Sequence, residues 1–180
     1  MKTYEFTIIA SGLDPNRDDF EDRFYEAGCD DATISFQKGM IALEFSRAAK
    51  SFAQAIVSAF ADVSKAGARV ERLEPDHLVN LSDIAMRSGL SRAAISLYCK
   101  GARGKDFPAP VARVTSDSPL WDWVAVSRWM VENGKLPQES FVEARITRAA
   151  NDLVGLRPIN RGTTAKEIEQ RLKAAMAEAA

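Results

Sequence analysis

What most constrains the fold of this chain is a switch of hydrophobic period, from two to about 3.6 and back, repeated inside the first seventy-five residues. Tyr4, Phe6, Ile8 and Ala10 alternate with Glu5, Thr7 and Ile9 as in a strand, and Ser11-Gly12-Leu13-Asp14-Pro15 then supplies turn chemistry. From Asn16 to Ala27, Phe20, Phe24 and Ala27 fall at helical spacing on an acidic segment that Gly28 ends. Ala32 to Gln37 and Met40 to Phe45 are β-prone runs joined by Lys38-Gly39, a hairpin with Ile34 and Phe36 facing one way. A long Ala-rich helix starts near Lys50-Ser51, carries Phe52, Ile56, Ala59, Phe60 and Val63 as a stripe, and stops at Gly67. Ala68 to Leu73 closes the series as a strand, with Val70 and Leu73 set among Arg69, Glu71 and Arg72.

The order β-α-β-β-α-β with right-handed crossovers places both helices on one face of an antiparallel sheet. Residues 1–75 are therefore expected to form a ferredoxin-like α/β domain. Its uncovered sheet face suits dimerisation or a partner protein. The pattern changes at Glu74-Pro75-Asp76, and residues 78–136 read as a second domain of short helices. Residues 137–180 read as a helical C-terminal extension with helices over Gln138–Leu153 and Thr164–Ala179, parted by Gly155-Leu156-Arg157-Pro158. Thr164 with Glu167 fits a capping box, and Ile168, Leu172 and Met176 recur at spacings of four, a narrow stripe that a solvated tail would also show. The whole is an α+β chain.

Several chemistries are poorly served by the composition. Cys29 and Cys99 stand seventy positions apart and His77 is the one imidazole, so neither a zinc site nor a nucleophile-base pair finds its residues, and no cofactor or catalytic residue is expected. The run Asp18, Asp19, Glu21, Asp22 and Glu26 reads as a solvated helix face, and Gly101-Ala-Arg-Gly lacks the phosphate-cradling GxxxxGK[ST] form. The chain is not expected to be an enzyme. No apolar run is long enough to span a bilayer and the first residues hold no secretory signal, which points to the cytoplasm without a membrane partner.

The most specific signal runs from Leu81 to Gly101. Two short helices crossing steeply need a small residue where they touch, a turn residue that tolerates positive φ, and apolar inner faces. Ala85, Gly89 and Ile95 meet those needs, Ile84, Leu90 and Tyr98 complete the inner surface, and Ser82 and Ser91 each stand where an N-cap belongs. This is a helix-turn-helix pattern, for which a plain helical hairpin is the alternative. Charge discriminates between them. The formal net charge of −1 divides into −5 over residues 1–80, +4 over 81–114 and zero over 115–180, so near-neutrality is an acidic domain offset by a basic one. With Ile95 and Tyr98 inward, the second helix presents Ser91, Arg92, Ala93, Ser96 and Lys100 outward. Small residues admit the helix to a major groove, Arg92 suits a guanine edge or a phosphate, and Lys100 suits phosphate. Ser82 at the start of the first helix and Arg103, Lys105 and Arg113 in the basic stretch beyond Gly101 complete the candidate DNA contacts.

That stretch runs into Phe107-Pro108-Ala109-Pro110, whose prolines suit an edge strand. Paired with Ser118–Asp122 it would make a wing, with its tip at Arg103–Lys105 or at Thr115–Ser118, while Trp123, Val126, Trp129 and Met130 form a helix face of core character. Residues 78–136 resemble the winged helix-turn-helix of the MerR and AlpA (excisionase)-like group at Ile84, Ala85, Gly89, Ser91 and Ile95, at Phe107-Pro108-Ala109-Pro110, and at Trp121, Val126 and Trp129. The resemblance implies sequence-directed binding of double-stranded DNA, with the second helix in the major groove and the wing on backbone or minor groove. It does not extend to effector or metal sensing, because an acidic domain precedes the motif and no long coiled coil follows it. A homo-oligomeric transcriptional regulator reading an inverted repeat is the expected function. The alternatives are an excisionase-like architectural factor, or an autoregulating antitoxin whose acidic N-terminal domain binds a protein partner.

Overall fold

The structure is a computed structural model and describes residues 1–156, 158–160 and 162–178. It is mixed α+β, with a four-stranded antiparallel sheet. The chain divides into two compact units, residues 1–75 together with 149–180, and residues 76–148.

In the first unit β1 (Lys2–Ser11), β2 (Ala32–Gln37), β3 (Met40–Ala49) and β4 (Arg69–Glu74) pair antiparallel in the order β2-β3-β1-β4. The helices α1 (Phe20–Ala27) and α2 (Phe52–Ala66) lie between these strands in the chain and pack on each other. Alternation decides which face they cover. Tyr4, Phe6, Ile8 and Ala10 of β1 are buried, as are Ile41, Leu43 and Phe45 opposite them on β3. Each large apolar side chain among them, fully buried, contributes about 1.5–3 kcal/mol. The other face shows Thr3, Glu5, Glu44 and Ser46 to solvent. It is hydrophilic and needs no cover.

Local chemistry sets the ends of these elements. Lys38 and Gly39 both take positive φ, +51° and +82°, the requirement of the two-residue turn that closes the β2–β3 hairpin. Ser51 caps α2 by accepting from the Gln54 N–H at 3.2 Å. α1 begins at Phe20, not at Asn16 as the periodicity suggests, because Asp14 Oδ1 accepts from the Asn16 N–H at 3.0 Å and winds residues 14–17 into a turn.

The second unit contains the two-stranded pair β5 (Leu78–Val79) and β6 (Trp121–Asp122), and the helices α3 (Leu81–Ser88), α4 (Arg92–Cys99) and α5 (Trp123–Glu132). α6 (Gln138–Leu156) gives its residues up to Arg148 to this unit and the rest to the first. The partner of the Trp121 strand is thus Leu78–Val79, not the proline segment, whose pairing is reduced to a single Ala112–Leu120 bridge. With Pro108 and Pro110 unable to donate, two fewer ladder bonds are available there.

Nor do residues 149–180 stand apart as an extension. α6 passes through Gly155, and α7 (Ala165–Glu178) packs on α2 with Ile168 and Leu172 buried. Thr164 and Glu167 form the expected box, the Thr164 N–H donating to Glu167 Oε2 at 2.9 Å and the Glu167 N–H to Thr164 Oγ1 at 3.3 Å. Ala179, the expected end of this helix, lies outside the described residues. Asn151 of α6 holds the backbone of β4 like a neighbouring strand, accepting from the Leu73 N–H at 2.8 Å and donating to the Leu73 carbonyl at 3.0 Å. The Val70 N–H donates to the Ile159 carbonyl at 3.0 Å.

Candidate nucleic-acid interface

The turn between α3 and α4 is encoded residue by residue. Gly89 takes φ +68°, left-handed backbone that ends α3, and Ser91 Oγ accepts from the Ala94 N–H at 3.1 Å to start α4. The start of α3 differs from expectation. Its cap is Asn80 and not Ser82: Asn80 Oδ1 accepts from the Ser82 and Asp83 N–H groups at 2.7 and 3.0 Å, and Asp83 Oδ2 accepts from the Asn80 N–H at 2.9 Å. An Asn with an Asp three residues on is the sequence signal of this reciprocal box. Ser82 is thereby left exposed in the first turn.

Ile84 and Ile95 are wholly buried and Tyr98 nearly so, in a core with Val79, Trp121, Val126 and Met130. Two tryptophans also pin the loop after α4. Trp129 Nε1 donates to the Lys105 carbonyl at 2.8 Å and Trp121 Nε1 to the Pro108 carbonyl at 3.0 Å. The rings of Tyr98, Phe107 and Trp129 meet with centroids 5.0–6.1 Å apart. Gly104, at φ +72°, lies where a Cβ would be 3.0 Å from the Trp129 ring.

The candidate contacts fall out as follows. Ser91, Arg92, Ala93 and Lys100 of the α4 region are exposed, with Ser96 half-buried between them. Arg92 sits at the first residue of α4, where the helix dipole disfavours a cation, and forms no ion pair among the described residues. It shares a cleft of about 100 Å³ with Asn80, Ser82, Asp117 and Ser118. Ser82 and Arg92 are thus brought together, which neither motif alone foretells. Lys100 lies at the far end of α4, about 12 Å along the axis at 1.5 Å per residue.

Beyond α4, Lys105 is exposed on the pinned loop, and the Arg103 guanidinium rests 5.4 Å from the Tyr98 ring centre. Arg113 is elsewhere. It takes φ +50° just after the Ala112–Leu120 bridge, at the start of a loop whose far side carries Thr115 to Ser118. Of the two expected tips, Thr115–Ser118 is the one enclosed by strand-like pairing, while Arg103–Lys105 belongs to the loop fastened by Trp129. Lys100, Lys105 and Arg113 make no ion pair among the described residues.

Sequence reasoning missed two further features. Met86 on α3 and Leu97 on α4 are apolar yet 75% and 44% exposed, as are Val111 and Val114 beside Arg113. Arg87 carries a different chemistry: its guanidinium lies 5.4 Å from the Trp123 ring centre, and burial pulls it below its ordinary pKa. It belongs to the packing, not to the cationic surface.

No protein-family model, curated protein or solved structure matches this chain. Its function has to be read from its own residues.

The remaining titratable groups are arranged differently. Arg17 grips Asp19 with two hydrogen bonds at 2.7 and 3.0 Å, and these lower the Asp19 carboxyl below its usual range. His77 places Nδ1 3.1 Å from Asp76 Oδ1 and lends its carbonyl to the Trp123 N–H. Among the described residues no three His, Cys, Asp or Glu side chains gather as a metal would require, and no helix is long and apolar enough to cross a membrane.

Proposed function

We propose that this protein is a sequence-specific, double-stranded-DNA-binding transcriptional regulator. In this reading residues 78–136 are a winged helix-turn-helix of the MerR/AlpA-like kind, and α4 is its recognition helix. The sheet unit is a ferredoxin-like domain that holds two copies together. One observation carries the reading: the outer side of α4 is built of small residues and framed by Arg92, Lys100 and Lys105, which are exposed and have no carboxylate partner among the described residues. Packing leaves such cations no structural task, and a phosphate-lined groove supplies one.

Within the reading, Arg92 is the residue that discriminates bases. A bidentate contact to guanine is worth about 1–3 kcal/mol of discrimination. Met86 and Leu97 offer apolar surface of the sort that meets thymine methyl groups. Lys100, Lys105 and Arg113 fix the register through phosphates, with the Thr115–Ser118 loop as the wing. Two copies related by a two-fold axis would read half-sites about 34 Å apart.

Selection of bound duplexes from a random pool tests this. The expected product is a short palindrome whose binding weakens steeply with salt, and for Arg92→Ala a motif that has lost its preference at one base pair. Absence of enrichment would refute the reading. Direct repeats with pronounced bending would move it to an architectural excision factor. A groove of about 470 Å³ on the uncovered sheet face, where Glu5 and Glu44 stand open, favours a second role, gripping a basic segment of a partner protein as an antitoxin does. Co-purification of such a partner, released by salt, tests that role.

A further inference from the structure

The two edges of the four-stranded sheet are treated differently. Along β4 the backbone is occupied, Leu73 by the Asn151 amide and Val70 by the Ile159 carbonyl. β2 has β3 on one side and no strand on the other among the described residues. Edge strands are normally guarded against pairing by a charge or a proline, and Ala-Thr-Ile-Ser-Phe-Gln has neither.

The hydrogen-bond phase shows which groups are free. The Ser46 N–H donates to the Asp31 carbonyl at 3.0 Å, and these residues lie opposite each other in the continued β2–β3 register. In an antiparallel pair such bonds alternate, so Thr33, Ser35 and Gln37 spend their N–H and C=O on β3. Ile34 and Phe36 direct theirs to the open side, as Ala32 does its carbonyl, while the Ala32 N–H donates to the Cys29 carbonyl at 3.1 Å. Their side chains share the face of Phe45, Leu43 and Ile41, yet Phe36 is 47% exposed. Beside them runs a groove of about 250 Å³ lined by Glu21, Tyr25, Cys29, Asp30, Ala32 and Ile34, in which Tyr25 is 70% exposed.

We propose that this edge is the surface on which a second copy of the chain docks, β2 pairing antiparallel with the partner's β2 about a two-fold axis at Ile34. That register pairs the N–H and C=O of Ile34 with those of the partner's Ile34 and gives each Phe36 N–H the carbonyl of the other copy's Ala32, which joins two four-stranded sheets into one. It also brings Phe36 of each copy to the other's groove beside Tyr25 and Ala32. Charge complementarity selects the occupant. The groove is lined in part by Glu21 and Asp30, and Lys38, exposed and without an ion-pair partner among the described residues, follows β2 where the pairing carries it to the partner's Asp30. Each contact occurs twice, as an isologous interface requires. The hydrophilic outer sheet face plays no part in it.

The proposal stands whether or not the chain binds DNA, and it is tested without DNA. Sedimentation equilibrium of the full chain should give twice its 19.8 kDa mass in the micromolar range. Ile34→Pro removes an N–H that only the partner uses, and should raise the dimer dissociation constant at least about tenfold while the thermal midpoint of the monomer is retained. Asp30→Lys and Lys38→Glu should each weaken the dimer about tenfold, and the double exchange should restore it to within about threefold of wild type. Restoration excludes simple misfolding of the single variants. A monomeric wild type, or a dimer indifferent to all of these changes, overturns the proposal. Retained DNA selection with a monomer would leave the DNA reading intact and sink only the edge pairing.

Discussion

Arg47 in the first unit and Arg92 in the second are the same side chain put to opposite uses. Every donor of Arg47 is engaged: Nε and one terminal nitrogen grip Asp31 at 2.9 and 2.8 Å, that same nitrogen reaches the Gly28 carbonyl at 2.7 Å, and the other donates to Asp62 and Ser58 at 2.7 and 3.1 Å. The guanidinium also lies 4.8 Å from the Phe45 ring centre. Burial opposes the charge, yet the bonds to Asp31 and Asp62 outweigh it and hold Arg47 above its ordinary value. Arg92 has the same five donors and no ion pair. A guanidinium saturated by protein groups can meet a ligand only by breaking those bonds, whereas an exposed one exchanges only water for the ligand. Arg47 is thus committed to the fold of the first unit, whereas Arg92 is committed to no protein group among the described residues of the second.

If that contrast is right, Arg47→Met should cost the largest free energy of any change considered. Asp31 and Asp62 would be left facing each other without their cation, at a cost of about 3 kcal/mol in urea unfolding, while Arg92→Ala should stay within about 0.5 kcal/mol of wild type. Equal losses would erase the distinction. Gly104→Ala comes next. A Cβ at φ +72° against Trp129 should destabilise the second unit by about 1–3 kcal/mol and weaken DNA binding through the displaced Arg103 and Lys105, with the Arg47 region unaffected by amide exchange. The smallest effect lies in the first unit, at the α7 cap. The Thr164 N–H and hydroxyl hold the Glu167 carboxyl below its usual range, so the cap is fully present above the ordinary glutamate value and is lost as pH falls through the lowered one. The Thr164 amide shift should titrate below the ordinary range. A midpoint at the ordinary value would mean the cap bond is absent in solution.

Much of this was legible in the sequence because it is local. Gly28, Gly67 and Gly89 end helices, Ser51 and Ser91 start them, and the order of the first six elements follows from period alone. What escaped depends on distant partners. Nothing near Leu78-Val79 shows that it pairs with Trp121-Asp122, since two residues carry no period and the proline segment is the better strand candidate by composition. The narrow stripe Ile168, Leu172 suits a solvated tail until α2 is there to bury it. Ser82 suits a cap by residue type alone, but Asn80 stands at the helix start and its partner Asp83 completes the box. At the candidate interface the outward set Ser91, Arg92, Ala93, Ser96 and Lys100 follows from helix geometry. The closeness of Arg92 to Ser82 and Ser118 needs the tertiary structure.

Arg92, exposed and without an ion pair among the described residues, is the residue on which the proposed DNA reading rests. Fluorescence anisotropy of wild type and Arg92→Ala on the selected duplex and on random duplex, at several salt concentrations, tests this most directly. If Arg92 reads a base, the substitution weakens the selected complex about tenfold or more while binding to random duplex changes little. An equal loss on both duplexes, or no loss on either, would contradict it.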